Sequence, residues 1–313
     1  MKPKLTVIIP FLNEGEEVER TVRSIRETAG AQVAILLIND ASQDATDYEA
    51  VAGRYGTAYH CNNVRKGVAA SRDWGVAQID TDYFLIVDAH MRFYFDDWWI
   101  RITEELQHDE RALYCTVCKV LDENGEPVPD RNSVGAYLTW CEEERKRVLT
   151  PEWNMTDLLP GGATMEIPCV LGACYAASKK YWTYLKGLQG LERYGSDEAY
   201  ISLKVWLEGG RCVLIKDVGI GHIFRTSFPY EVKNVDLIYN KLLIMETVMP
   251  SNEATPLYNL MRRTDNVLLR DAMEKLQDNR VLVNALKDYY STIFTRDIGA
   301  FKTLNERFVQ LNR

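Results

Sequence analysis

Phe84-Leu-Ile-Val-Asp-Ala-His-Met-Arg-Phe-Tyr-Phe-Asp-Asp-Trp-Trp99 decides the fold. With Tyr83 ahead of it, it opens as an apolar run of strand length to Val87. It breaks at Asp88-Ala89-His90 and resumes as an amphipathic segment from Asp96. A run apolar on both faces reads as a central strand of a parallel sheet. Ligands of open α/β sheets sit just past the carboxyl ends of such strands, so Asp88 and His90 stand where a site is expected. Two residues apart in extended chain, their side chains point to the same side. A carboxylate oxygen held beside an imidazole nitrogen suits a divalent ion such as Mn2+. Asp-x-His alone equally describes a carboxylate ending a strand beside a loop histidine, so the rest of the chain decides.

Upstream, Leu5 to Pro10 is a short apolar strand and Phe11-Leu-Asn-Glu-Gly15 a polar turn. Val18, Val22, Ile25 and Ala29 mark one helix face, with Asn13 and Glu16 as a capping box and Gly30 as the stop. Val33 to Ile38 is a second buried strand, and Asn39-Asp40 leaves its end. Strand, helix and strand imply a parallel sheet with a right-handed crossover. A helix from Asp44 to Tyr55, a strand from Thr57 to Cys61 and a helix from Lys66 continue the pattern. The start of that last helix, near Gly67, offers free backbone N–H groups to a phosphate. There is no G-x-G-x-x-G and no P-loop Lys-Ser/Thr, which disfavours a Rossmann dehydrogenase or a P-loop nucleotidase.

Downstream, Arg111 to Val120 is a strand holding Cys115-Thr-Val-Cys118. That spacing suits a metal, but no second Cys/His pair completes four ligands, so these are strand residues. No period settles Ser133 to Met155; its charged run, Glu142 to Arg147, reads as a solvated face. Leu159 to Ala163 reads as a loop and Pro168 to Ala177 as a strand. Ser196 is placed to cap a helix from Asp197 to Glu208, closed by Gly209. Asp197 and Glu198 fall in its first turn, where carboxylates offset the helix dipole whether or not they do chemistry. Arg211 to Asp217 is a strand, followed by His222 and Arg225. From Asp236 the chain is helical, with Leu237, Lys241, Ile244 and Val248 on one face. The organisation expected is a catalytic domain over 1–250 and a helical extension over 251–313 that covers the sheet, binds an acceptor or builds a homo-oligomer.

The 313 residues are 46% hydrophobic and 26% charged, with a net charge of −8. Nothing overall attracts nucleic acid or an anionic membrane. The opening Met-Lys-Pro-Lys leaves no room for a signal peptide before the first strand, and no apolar run reaches membrane-spanning length. Seven irregularly spaced cysteines argue against a disulfide framework. The expectation is a reduced, cytoplasmic protein.

Three segments together carry a resemblance. Val7-Ile-Ile-Pro-Phe-Leu-Asn-Glu14 with Ile38-Asn-Asp-Ala-Ser42 resembles the opening of GT-A-fold glycosyltransferases of the family-2 type. Val87-Asp-Ala-His90 is similar to the Asp-x-His signature of polypeptide N-acetylgalactosaminyltransferases. Tyr194-Gly-Ser-Asp-Glu198, Val205 to Gly210, and Val218-Gly-Ile-Gly-His-Ile-Phe-Arg225 resemble that family's later block, in order. The resemblance implies an α/β GT-A fold, Rossmann-like, with a mainly parallel sheet flanked by helices. It also implies transfer of a hexose or N-acetylhexosamine from a UDP-sugar.

Carried over residue by residue, Asp88, His90 and His222 hold Mn2+ (or Mg2+), and Phe11, Glu14, Thr21 and Asp40 form the uridine site. Arg225 and Tyr230 sit on a loop closing over the nucleotide, and Asp197 and Tyr194 lie at the sugar and acceptor. A family phosphate-helix arginine aligns with Ala70, leaving Arg72 two residues on to serve. The differences at Asp197, Tyr194 and Ala173 leave the sugar open, and a polypeptide, a glycan, a lipid-linked sugar and a modified nucleobase all remain as acceptors. Without the family's anchor and lectin domain, the chain looks like a stand-alone bacterial or viral relative. Retention of configuration is implied, the alternative being an inverting enzyme with Asp197 or Glu198 as base. A sugar nucleotidyltransferase lacks its basic loop here, and a non-catalytic binding protein has no use for the three ligands.

Overall fold

The computed structural model describes residues 3–155, 161–225 and 227–310. The chain opens with β1 (Leu5–Phe11), α1 (Glu17–Ala29), β2 (Ala34–Asn39), α2 (Tyr48–Tyr55), β3 (Ala58–Cys61), α3 (Val68–Gln78) and β4 (Tyr83–Val87). Then come β5 (Met91–Arg92), α4 (Trp98–His108), β6 (Ala112–Leu121), β7 (Pro127–Ser133), β8 (Ala136–Glu142), β9 (Arg147–Trp153), β10 (Thr164–Glu166) and β11 (Cys174–Ser178). After α5 (Lys179–Tyr184), α6 (Asp197–Glu208) and β12 (Arg211–Ile223), the rest is helical. It comprises α7 (Asn234–Val248), α8 (Ser251–Thr264), α9 (Asn266–Asp278), α10 (Arg280–Ile293) and α11 (Ile298–Gln310).

The main sheet runs in the order β10-β12-β6-β11-β4-β1-β2-β3, with β5 paired to β12 and β7 to β6. From β4 to β3 every pairing is parallel, as the sequence pattern implies. Beyond β4 the sheet is mixed, because β11 runs antiparallel between β4 and β6. The chain steps outward from β1 to β3 and returns to place β4 on the other side of β1. The resulting switch point lies between the carboxyl ends of β1 and β4, where open sheets bind ligands.

The period of two is visible in the packing. Val7 and Ile9, with Leu85 and Val87, face a layer closed by Val18, Val22 and Ile25 of α1 and by Trp98 and Ile102 of α4. Ile8, Phe84 and Ile86 face the opposite layer, with α3, α6 and α7. That second layer also takes Leu257, Leu269, Leu286 and Phe308, so the C-terminal helices share its core. Asn305 fastens α11 to β8 by bonding both backbone groups of Leu138, at 2.8 and 2.9 Å.

Several local expectations are corrected. Asn13 does not cap α1: it adopts a left-handed φ of 56°. Its side chain accepts from the Gln43 amide at 2.8 Å, tying the two loops beside the switch point. Glu16 occupies the cap position without a side-chain bond. Ser196 does precede α6, but at φ 68° it makes no side-chain cap either. The unassigned stretch from Ser133 forms the β8–β9 hairpin, which tertiary pairing rather than periodicity dictates. Most of the strand expected from Pro168 is loop, with pairing to β4 starting only at Cys174. Residues 156–160, which include the start of the expected Leu159 loop, and 311–313 of the tail lie outside the described residues.

Candidate active site

Asp88 and His90 leave β4 at the switch point. The loop is pinned from beneath by Thr21 of α1, whose hydroxyl accepts from the Met91 amide at 2.9 Å and lies 2.8 Å from the Ala89 carbonyl. The two-residue strand β5 then pairs with the end of β12, setting His222 opposite Met91. The Ile223 amide donates to the His90 carbonyl at 3.2 Å. This pairing carries a histidine from the far end of the chain onto the Asp-x-His loop.

The three side chains meet. Asp88, His90 and His222 each offer a ligand atom, all within 4.8 Å of one another. His222 Nε2 lies 3.5 Å from Asp88 Oδ2. His90 Nδ1 lies 3.2 Å from Glu14 Oε2, which leaves Nε2 with its lone pair free. A carboxylate behind a ligating histidine is the usual outer shell of a metal site. His222 turns Nε2 toward Asp88, and its Nδ1 is buried without a hydrogen-bond partner among the described residues. The donor set therefore fits a divalent cation. Burial drives the His222 pKa below its ordinary value, keeping the ring neutral as a ligand must be. Burial raises that of Asp88, but His222, Arg72 and His90 outweigh it and hold the carboxyl well below the usual range.

Arg72 is the electrostatic hub. It is 3% exposed, yet it reaches Asp88 at 3.1 Å and the Gly172 carbonyl at 3.0 Å, and it pairs with Asp197. Burial works against its charge, but Tyr175, Asp197, Asp88 and Glu198 outweigh it and push its pKa up. Next to Asp197, Glu198 is held protonated: burial and then the Asp197 charge raise its carboxyl far above the usual value.

These groups line one cavity of about 510 Å³, within the size range of small-molecule sites. Phe11, Glu14 and Asp40 line it from the ends of β1 and β2, and Tyr194, Asp197 and Glu198 from the start of α6 and the loop ahead of it. Thr21 is absent from the lining. Its hydroxyl is spent on the ligand loop and it is wholly buried, so it supports the site rather than meeting a nucleotide. Asp40 accepts from the Lys66 and Gly67 amides at 2.7 and 2.8 Å, anchoring the start of α3. Gly67, at φ 96°, lies so close to the Arg193 backbone that a Cβ would collide with it.

Arg225 is not free but bonds Glu14 at 2.5 Å. Tyr230 stacks with Phe228 at 5.7 Å, and Phe228 meets Tyr194 at 5.0 Å. Sequence reasoning missed Trp153, which approaches His222 at 5.6 Å, because it sits in the unassigned hairpin. It also missed Asn240, which bonds Glu192, Tyr194 and Gly195 and so fixes the loop ahead of Asp197. Its only sequence signal is a polar residue on a buried helix.

The profile described as Glycosyl transferase family 2 matches residues 6–164. Rat polypeptide N-acetylgalactosaminyltransferase 10 is 26% identical over 79% of this chain and 42% of its own length. The mouse polypeptide N-acetylgalactosaminyltransferase 4 is 27% identical over 74% of this chain and 42% of its own. A crystal structure of GalNAc-T7 with UDP, GalNAc and Mn2+ superposes with a TM-score of 0.65 at 20% identity, covering 82% of this chain and 50% of that one. The chain thus spans less than half the length of these curated relatives, and the structural likeness bears out the GT-A fold. The relatives are animal proteins and lend no support to a bacterial or viral origin. Among the described residues no helix is long and apolar enough to cross a membrane.

Proposed function

We propose, because this chain belongs to glycosyl transferase family 2, that it moves a sugar from a UDP-sugar to an acceptor hydroxyl with Mn2+ or Mg2+ at Asp88, His90 and His222. The observation that carries this reading is the convergence of those three side chains at the switch point of the sheet. A divalent ion bound there supplies Lewis-acid neutralisation of the diphosphate. Phe11 and Asp40 flank the base, and Tyr230 with Phe228 covers it. Arg225 and Glu14 exchange partners as the nucleotide enters, so that the guanidinium meets the departing phosphate.

Retention of configuration is the stereochemistry we favour. The acidic side chains lining the cavity are occupied. Glu14 stays on His90 after releasing Arg225, Asp40 holds backbone amides, and Asp88 and Asp197 hold Arg72. Glu198 keeps its proton. A base for the acceptor is therefore supplied by the leaving group. The anomeric C–O bond to the diphosphate breaks, the acceptor oxygen bonds that carbon from the same face, and its proton passes to the released phosphate oxygen. An inverting route through Asp197 has first to break its pair with Arg72. The seven free cysteines suit a reducing compartment, the cytoplasm.

The test is thermal stability with UDP-, GDP- and CMP-sugars, each with Mn2+ or EDTA. Stabilisation by a UDP-sugar only with metal is expected; no shift with any nucleotide would sink the reading.

A further inference from the structure

Lys241 is out of place on its helix. Leu237, Ile244 and Val248 share its face, so a lysine interrupts an apolar stripe. Buried ammonium groups are costly unless oxygen atoms surround them. Other lysines of this fold meet that demand. Lys204 reaches the carbonyls of Leu185 and Gly187 and the Tyr290 hydroxyl. Lys275 bonds Asp236 at 2.6 Å and Glu192 at 3.1 Å. Lys241 has one hydrogen bond among the described residues, to Thr150 Oγ1 at a long 3.4 Å. That hydroxyl is itself directed at the Val148 carbonyl, at 3.2 Å. Burial lowers the Lys241 pKa and no acidic neighbour offsets it.

Its position gives the missing partner an address. Lys241 lines the active cavity, where its bond to Thr150 sets it beside Thr150, Pro151 and Trp153 of β9. Leu237, one turn earlier, closes against Gly195, and Asn240 beside it bonds the loop that carries Tyr194. With the nucleotide placed as proposed above, between Phe11, Asp40 and Tyr230, the β9 side of the cavity where Lys241 stands is left for the sugar and the acceptor.

We propose that Lys241 selects a substrate bearing an anionic oxygen group, a carboxylate or a phosphate, on that side of the site. This rests on the UDP-sugar reading above. The group has two sources: a transferred uronic acid, or a phosphorylated sugar acceptor. A charge-assisted bond to an ammonium that otherwise holds only the long bond to Thr150 among the described residues gives the charged ligand its advantage over a neutral twin of the same shape.

Binding by calorimetry in Mn2+ distinguishes these. The donor arm compares UDP-glucuronic acid with UDP-glucose, and UDP-galacturonic acid with UDP-galactose. The acceptor arm adds mannose 6-phosphate or mannose to the UDP-loaded protein. In one arm the charged member is expected to bind at least about tenfold tighter, equivalent to about 1.4 kcal/mol. That ratio should collapse toward unity in Lys241→Met and return in Lys241→Arg. Because each ratio is taken within one variant, a general loss of affinity does not mimic the effect. UDP binding to the wild type with no charged preference in either arm overturns the assignment alone, as does a preference that survives in Lys241→Met. Failure of UDP itself to bind overturns both this and the function on which it rests.

Discussion

Arg72 Nη2 lies 3.1 Å from Asp88 Oδ1, so a buried arginine neutralises a proposed metal ligand from behind. The same guanidinium holds Asp197 at the start of α6. The Asp88 loop and the start of α6 are therefore coupled through one side chain, which sets their spacing.

Arg72→Met strands the buried Asp197 carboxylate and takes a partner from the half-buried Asp88. Removing one partner of a buried pair costs about 3–5 kcal/mol. Melting should fall by roughly 5–15 °C in EDTA at that cost for a chain of this size. Adding Asp197→Asn to Arg72→Met should recover part of the loss, since one stranded charge is gone. An unchanged melting point in Arg72→Met would remove the hub.

Glu14 supports His90 from outside the ligand set and holds Arg225 as well. Loss of such a partner weakens a metal by about 10–100-fold. Glu14→Gln should lower Mn2+ affinity by that factor, measured by calorimetry, with little change in melting of the metal-free protein. Equal Mn2+ affinity in Glu14→Gln and wild type would place Glu14 outside the metal's support.

The first half of the site was legible because it is local. A strand ends, and Asp88 and His90 follow within one turn of chain. His222 was reachable only through the family resemblance, since it arrives by the β5–β12 pairing, which no pattern of apolar residues encodes. Thr21 and Asn13 were misread for a related reason. Their side chains bond loops distant in sequence, Ala89 and Gln43, while the resemblance implied a nucleotide contact for Thr21 and local spacing a helix cap at Asn13. Trp153 belongs to the β8–β9 hairpin, where tertiary contact, not periodicity, decides.

His222 sets a pH dependence of the metal-free protein. Its folded pKa is lowered by burial, while in the unfolded chain it is about 6.5. Below that pH the unfolded chain takes up a proton that the folded one refuses, so stability falls as pH drops through this window. Asp88 acts lower: its folded pKa is depressed, so its contribution is present above about 3.9 and is lost only as pH falls further. Urea midpoints in EDTA should therefore decline between pH 7 and pH 5.5 for the wild type, and less for His222→Gln. Identical slopes for the two proteins would mean that His222 is not buried as a neutral ring.

The C-terminal helices are the last relationship to test. They place Leu257, Leu260, Leu269, Leu276, Leu286, Tyr290, Phe301 and Phe308 in the layer that packs against α6 and α7. Each large side chain contributes about 1.5–3 kcal/mol when buried. Their gross sum, about 12–24 kcal/mol before the entropy of ordering the helices, is as large as the whole net stability of a typical domain, about 5–15 kcal/mol. Ending the chain after Pro250 also exposes the α6–α7 surface they cover, and it removes the Tyr290 hydroxyl from the buried Lys204 ammonium. The truncated protein is expected to aggregate or to lose its cooperative melting transition. A soluble chain ending at Pro250 with a sharp transition and retained nucleotide binding would show that residues 251–313 are an appendage rather than part of the core.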